Sequence, residues 1–158
     1  MFKSRYDERE NEIKKVNIEK IIQNVILGFN KTISENNIEV NLEVEKLCCL
    51  GVVSEIRAII FNLIDNAIKF STDKRVYINL YAKGDKVVFE VFNKCRRIPK
   101  GIINRILEPF YNCDPSTEVG SQGLGLFICR ELAQLNNGKI DLEYNGQDIK
   151  VILTLDKE

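Results

Sequence analysis

Apolar residues recur along this chain in two periods, one near 3.6 and one of 2, and the alternation between them predicts its elements. Residues 16–34 place Val16, Ile18, Ile21, Ile22, Val25, Ile26 and Phe29 at helical spacing, a first helix with one core face. Ile38, Val40, Leu42 and Val44 then alternate with polar residues as a half-buried strand does, and residues 47–52 read as a short return strand. A helix follows from about Val53, with Ser54 as its expected cap. Two runs, Val76-x-Ile78-x-Leu80-x-Ala82 and Val87-x-Phe89-x-Val91, flank Lys83-Gly84-Asp85-Lys86 and predict a hairpin. A second hairpin is expected around Asn145-Gly146, between Ile140-x-Leu142-x-Tyr144 and Ile149-x-Val151-x-Leu153-x-Leu155. Between them, residues 99–107 suggest a short helix, 113–122 a loop and 123–135 a further helix, with Gly138 as its stop signal. Helices mixed with hairpins predict an α/β (α+β) two-layer sandwich: a mixed, largely antiparallel sheet covered on one face by helices.

The helix from Val53 is apolar except for one narrow stripe. At about 100° per residue, Glu55, Asn62, Asn66 and Lys69 fall within roughly 60° of one another, while Ile56, Ile60, Leu63, Ile64, Ala67 and Ile68 cover the rest. Two asparagines one turn apart offer neutral oxygens to a hard cation, and a lysine at the next step offers an ammonium to an anion. Metal with phosphate suits such a stripe, because Mg2+ takes oxygen ligands and keeps several waters. A solvated polar face on a core helix is the alternative. Further along, Gly120-Ser121-Gln122-Gly123-Leu124-Gly125-Leu126 opens the last helix. Glycines at a helix N-terminus expose unpaired N–H groups and let backbone approach a phosphate closely.

Composition narrows the chemistry. The chain of 158 residues is 44% hydrophobic, which suits one domain with a proper core. Its 23 basic and 23 acidic residues balance, which argues against nucleic acid as the main partner and gives no polybasic membrane signal. Five cysteines without paired spacing suggest neither a disulfide framework nor a structural zinc site, and a reducing cytoplasm is the simplest setting. No apolar run approaches the length of a membrane span. There is no histidine, so an internal phosphoacceptor histidine and a histidine base are excluded. Residues 1–15 are strongly charged and read as the tail of a preceding helix or linker, leaving 16–158 as the domain and the chain as a piece of a larger protein, itself open to membrane anchoring.

The stretch Phe61-Asn62-Leu63-Ile64-Asp65-Asn66-Ala67-Ile68-Lys69-Phe70-Ser71 resembles the N box of the GHKL ATPase superfamily in its histidine-kinase form. Leu107-Glu108-Pro109-Phe110-Tyr111 resembles the F box, and the glycine segment with its helix resembles the G2 box, all in the expected order. The resemblance implies the Bergerat ATP-binding fold and the catalytic domain of a sensor histidine kinase. It further implies ATP and Mg2+ as ligands, Asn66 holding the metal, Asn62 beside the metal-phosphate shell and Lys69 on phosphate. Gly123, Leu124, Gly125 and Leu126 would cradle the phosphates, and Phe110 would anchor a lid over residues 113–121. The implied reaction passes the γ-phosphoryl group to a histidine on a separate dimerisation domain and then to a response regulator, with no membrane contact by this domain.

Two departures qualify that picture. In Phe92-Asn93-Lys94-Cys95-Arg96-Arg97-Ile98-Pro99, which stands at the G1 box, Asn93 replaces the usual Asp that accepts from adenine, and Cys95 and Arg97 replace two glycines; Ile98 keeps the family's residue. An amide still accepts, but losing the charge-assisted part costs on the order of 1 kcal/mol. After the F-box aromatics the chain has Asn112 where such kinases often carry an arginine, which would cost turnover more than binding. A degenerate module, binding nucleotide or acting as a scaffold with little phosphotransfer, is therefore the competing reading. A hydrolytic ATPase fits less well, since Asn62 stands where those enzymes have a water-activating carboxylate.

Overall fold

The computed structural model describes residues 5–108 and 119–158. Its elements run α1 (Arg5–Glu12), β1 (Ile13–Asn17), α2 (Ile18–Gly28), α3 (Asn30–Glu35), β2 (Glu39–Val44), β3 (Cys48–Val52), α4 (Val53–Phe70), β4 (Arg75–Lys83), β5 (Lys86–Lys94), α5 (Lys100–Ile103), α6 (Val119–Leu135), β6 (Lys139–Tyr144) and β7 (Asp148–Asp156). Five strands form one sheet in the order β2-β4-β5-β7-β6, with β2 parallel to β4 and every other pair antiparallel. The alternation of β4 and β5 sends Val76, Ile78, Leu80, Val87, Phe89 and Val91 to one face, where they join the buried residues of α2, α4 and α6. The other face carries Tyr77 stacked on Phe92 and the Glu90 carboxylate accepting from Tyr81. This is the expected mixed sheet with helices on one side.

Five details differ from the expectation. The helix over 16–34 divides into β1, α2 and α3, because buried Val16 and Ile18 alternate across an extended segment and Asn17 between them caps α2, its Oδ1 accepting from Lys20 N at 3.1 Å. The helix axis breaks again at Phe29, whose ring stacks on Phe61 at 5.0 Å. Secondly, β3 does not return along β2; it pairs antiparallel with β1, Val16 opposite Cys49, in a separate two-stranded sheet. No residue of β2 is fully buried, so that strand stays at the edge beside β4. Ser54 is not the cap of α4: the N-cap is Val52, which makes no side-chain cap bond. Finally, α6 starts at Val119, so the glycine segment continues the helix instead of forming a turn ahead of it. The lid expected over 113–121 lies outside the described residues except for its last three, which are helical, and the helix over 99–107 contracts to α5.

Two turns follow the sequence closely. Gly84 and Gly146 both take positive φ, +61° and +93°, in the two hairpins. Gly138 has another task than stopping α6. Asn137 takes the left-handed position there (φ 59°), whereas a Cβ on Gly138 would stand 2.4 Å from Thr154 O.

Candidate functional site

The polar stripe of α4 divides among different neighbours. Asn62 faces α6, its Nδ2 donating to Gly125 O at 3.2 Å and to Cys129 Sγ at 3.5 Å. Gly125 makes that approach feasible, since a Cβ there would lie 2.9 Å from Asn62 Nδ2. Leu126 beside it is fully buried and anchors α6 in the core. Burial pushes the Cys129 thiol up to about 11, with the Asn62 bond opposing in part, so it stays a neutral acceptor.

Asn66 is different, because its Nδ2 is buried and has no partner among the described residues. A buried amide nitrogen without a partner costs roughly 1–3 kcal/mol, so an acceptor oxygen, from water or from a ligand, is expected to complete its set. Lys69, one turn on, pairs with Asp65 at 2.9 Å while its side chain remains 62% exposed. Asp65 was not singled out from the sequence, although its spacing of four from Lys69 signals the pair.

On the sheet below, Asn93 is 4% exposed and shares the covered face of β5 with Val91 and Phe89. Its Nδ2 donates to Lys94 O at 2.9 Å, which leaves the amide oxygen as the group to offer a ligand. Helix α4 packs on β5, so Asn66 and Asn93 belong to facing elements. Ile98 is buried and its N–H donates to Tyr144 Oη at 2.7 Å, fixing the loop after β5 against β6. Arg97 is exposed and lines a cavity of about 390 Å³ with Ile98, Pro99, Lys100, Ile103 and Tyr144. Gly123 and Leu124 fall within α6, and Phe110 and Asn112 lie outside the described residues.

Glu55 leaves the site altogether. It forms an ion pair with Arg9 at 2.6 Å and accepts from Asn136 Nδ2 at 3.0 Å, and the Arg9 bond holds its carboxyl below the ordinary 4.5. Neither Arg9 nor Asn136 was legible as a partner, since 46 and 81 residues separate them from Glu55. Among the described residues no three acidic or thiol groups gather as a metal cluster. A hard cation at Asn66 would therefore draw most of its ligands from water and phosphate, with Oδ1 as the one protein oxygen, while the unpartnered Nδ2 is a donor suited to a phosphate oxygen.

Residues 51–158 match the family described as histidine kinase-, DNA gyrase B- and HSP90-like ATPases, and the chain belongs to that family. Its fold is that of the ATP-binding catalytic domain of sensor histidine kinases. The nucleotide-free catalytic domain of the histidine kinase ThkA aligns with a TM-score of 0.81 and 27% identity, covering 92% of this chain and 96% of that one. ThkA in complex with the response regulator TrrA aligns with a TM-score of 0.76 and 25% identity, over 92% of this chain and 42% of that one. Among curated relatives, histidine protein kinase SaeS of Staphylococcus aureus is 31% identical over 149 residues, 89% of this chain and 41% of SaeS. Sensor protein KdpD of Clostridium acetobutylicum is 28% identical over 148 residues, 90% of this chain and 16% of KdpD. The chain thus spans less than half the length of these two curated relatives.

Proposed function

We propose that this domain binds Mg2+-ATP between α4, α6 and the end of β5 and presents the γ-phosphoryl group to a histidine on a separate dimerisation domain, from which it passes to a response regulator. The observation that carries the reading is the buried, unpartnered Nδ2 of Asn66, a donor that a phosphate oxygen would satisfy, on a helix that packs over the buried amide of Asn93. Asn66 would hold the metal through Oδ1; when bound, Mg2+ would neutralise charge on the phosphates. Asn93 Oδ1 would accept from the adenine amino group, and Lys69 would exchange Asp65 for phosphate. Asn62, bonded to Gly125, would set the distance between α4 and α6, whose N-terminal end lies toward the phosphates. Catalysis by this domain would be positioning and electrostatic, the nucleophile coming from outside. The ThkA–TrrA complex supports a response regulator as the downstream partner. Residues 1–15 would be the charged lead-in or linker from a preceding helical domain, with this domain on the cytoplasmic side of a parent protein that is open to membrane anchoring.

The competing scaffold reading draws on the G1-like segment, where Cys95 N donates to Gln147 O and ties the segment to the β6–β7 turn. Calorimetry with ATP, with and without Mg2+, separates the two. Binding that Mg2+ strengthens, and that Asn66→Ala deprives of most of its Mg2+ dependence, is the expected outcome; no heat at millimolar-range ATP would leave the scaffold ahead.

A further inference from the structure

The lead-in helix α1 is joined to the far end of α6 by a chain of bonds, buried or half-buried except for the exposed one to Leu135 O. Arg9 Nη1 pairs with Glu55 Oε2 at 2.6 Å, and Nη2 of the same guanidinium donates to Leu135 O, the last carbonyl of α6, at 2.7 Å. Glu55 Oε1 accepts from Asn136 Nδ2, which also donates to Leu132 O at 2.8 Å, while Asn136 Oδ1 accepts from Val52 N at 2.9 Å. Asn136 is 5% exposed, and Gly51 leaves room for it, since a Cβ there would lie 2.8 Å from its Oδ1. One fork thus clamps the first turn of α4 to the last turn of α6, where a cation also complements the helix dipole.

The two helices clamped here are the ones that meet again at Asn62 and Gly125. Glu55 and Asn66 lie eleven residues apart on α4, about 16 Å along its axis, so Arg9 touches nothing at the site. A helix shifts as a rod, and freeing the C-terminal carbonyls of α6 would loosen its seat along its length. We propose that Arg9 is a positioning residue, a latch through which the segment entering the domain sets the placement of α6 and with it the fit of nucleotide. When α1 moves, Arg9 leaves, Glu55 and Leu135 O lose their shared cation, and the Gly125–Asn62 contact slackens. This rests on the reading of α6 as a nucleotide-facing helix.

Hydrogen exchange on nucleotide-free protein tests the latch without relying on that reading. Arg9→Ala should speed exchange by about tenfold both at residues 132–138 and, remotely, at 125–129, with strands β4 and β5 unchanged. Arg9→Lys, which keeps the ion pair but not the fork to Leu135 O, should recover only part of the protection. Glu55→Gln should resemble Arg9→Ala. In calorimetry Arg9→Ala should weaken ATP severalfold without touching the site. Acceleration confined to 132–138, or none, would overturn the latch. Wild-type protein that bound no ATP would overturn the proposed function instead, while the exchange comparison still decided on Arg9.

Discussion

Two glycines, one inside α6 and one just past its C-terminal end, show how one added methyl reads out two roles. A Cβ at Gly125 meets the end of a side chain, Asn62 Nδ2 at 2.9 Å, which can swing away; a Cβ at Gly138 meets the backbone oxygen of Thr154 at 2.4 Å, which cannot. Gly125→Ala should therefore change stability by no more than about 1 kcal/mol, helix propensity offsetting the lost Asn62 bond, yet weaken ATP. Gly138→Ala should cost about 1–3 kcal/mol with little specific effect on the nucleotide. Urea midpoints beside calorimetry check both, and a Gly125→Ala variant that kept wild-type affinity would remove Asn62 from the site. Asn93→Asp is also double-edged. The carboxylate would accept better from an adenine amino group, but it is buried and gives up the bond to Lys94 O. The expected result is a lower melting temperature without ATP and a larger rise on adding it. Glu55 supplies the pH dependence: its folded value lies below 4.5, so its contribution is present above that pH and lost as pH falls through the lower folded value. Arg9→Ala should flatten this acid limb of the stability profile, and an unchanged limb would mean that the pair contributes nothing measurable.

At the scale of elements, what was legible in the sequence was what local periodicity encodes. Helix α4 and both hairpins have their expected limits because Ile56, Ile60, Leu63, Ile64 and Ala67 mark one face at 3.6 and Val87, Phe89 and Val91 another at 2. The misreadings share one cause. Val16 and Ile18 fit a helix and a strand equally well over so short a span, and only pairing with Cys48 to Val52, more than thirty residues away, decides for β1. The partner of β3 was illegible for the same reason, and the glycines of α6 extend a helix whose seat on Asn62 comes from tertiary contact. In the site, Asn62, Asn66 and Asn93 were visible as polar residues on apolar elements, whereas Arg9, Asn136 and Cys129 became partners only through folding. The buried face of α4 carries its own prediction. Ile60 and Ile64 are at most 1% exposed, so Ile64→Ala should cost about 2–5 kcal/mol and lower the single cooperative unfolding transition. A loss below 1 kcal/mol would show that α4 is not central to the core.

For the whole molecule, the decisive fact is an inventory: 158 residues hold no histidine, and the position one turn before Asn66 is an amide bonded to Gly125 O, not a carboxylate free to activate water. A domain built this way can hold and aim a phosphoryl group without an internal acceptor. Incubated alone with Mg2+-ATP carrying a labelled γ-phosphate, it should neither label itself nor release phosphate quickly. Adding the dimerisation domain of its parent protein should give acid-labile, base-stable label on that partner, as a phosphohistidine requires. The sequence also bears on speed. With Asn112 where an arginine would compensate developing charge, transfer should be slow, and Asn112→Arg should raise the transfer rate more than it raises ATP affinity. Rapid phosphate release by the lone domain would refute acceptor-dependent chemistry. Tight Mg2+-ATP binding with no transfer to the correct partner would instead identify a domain that retained its nucleotide site and lost the reaction, and the equal failure of Asn112→Arg would place the defect outside the phosphate's immediate surroundings.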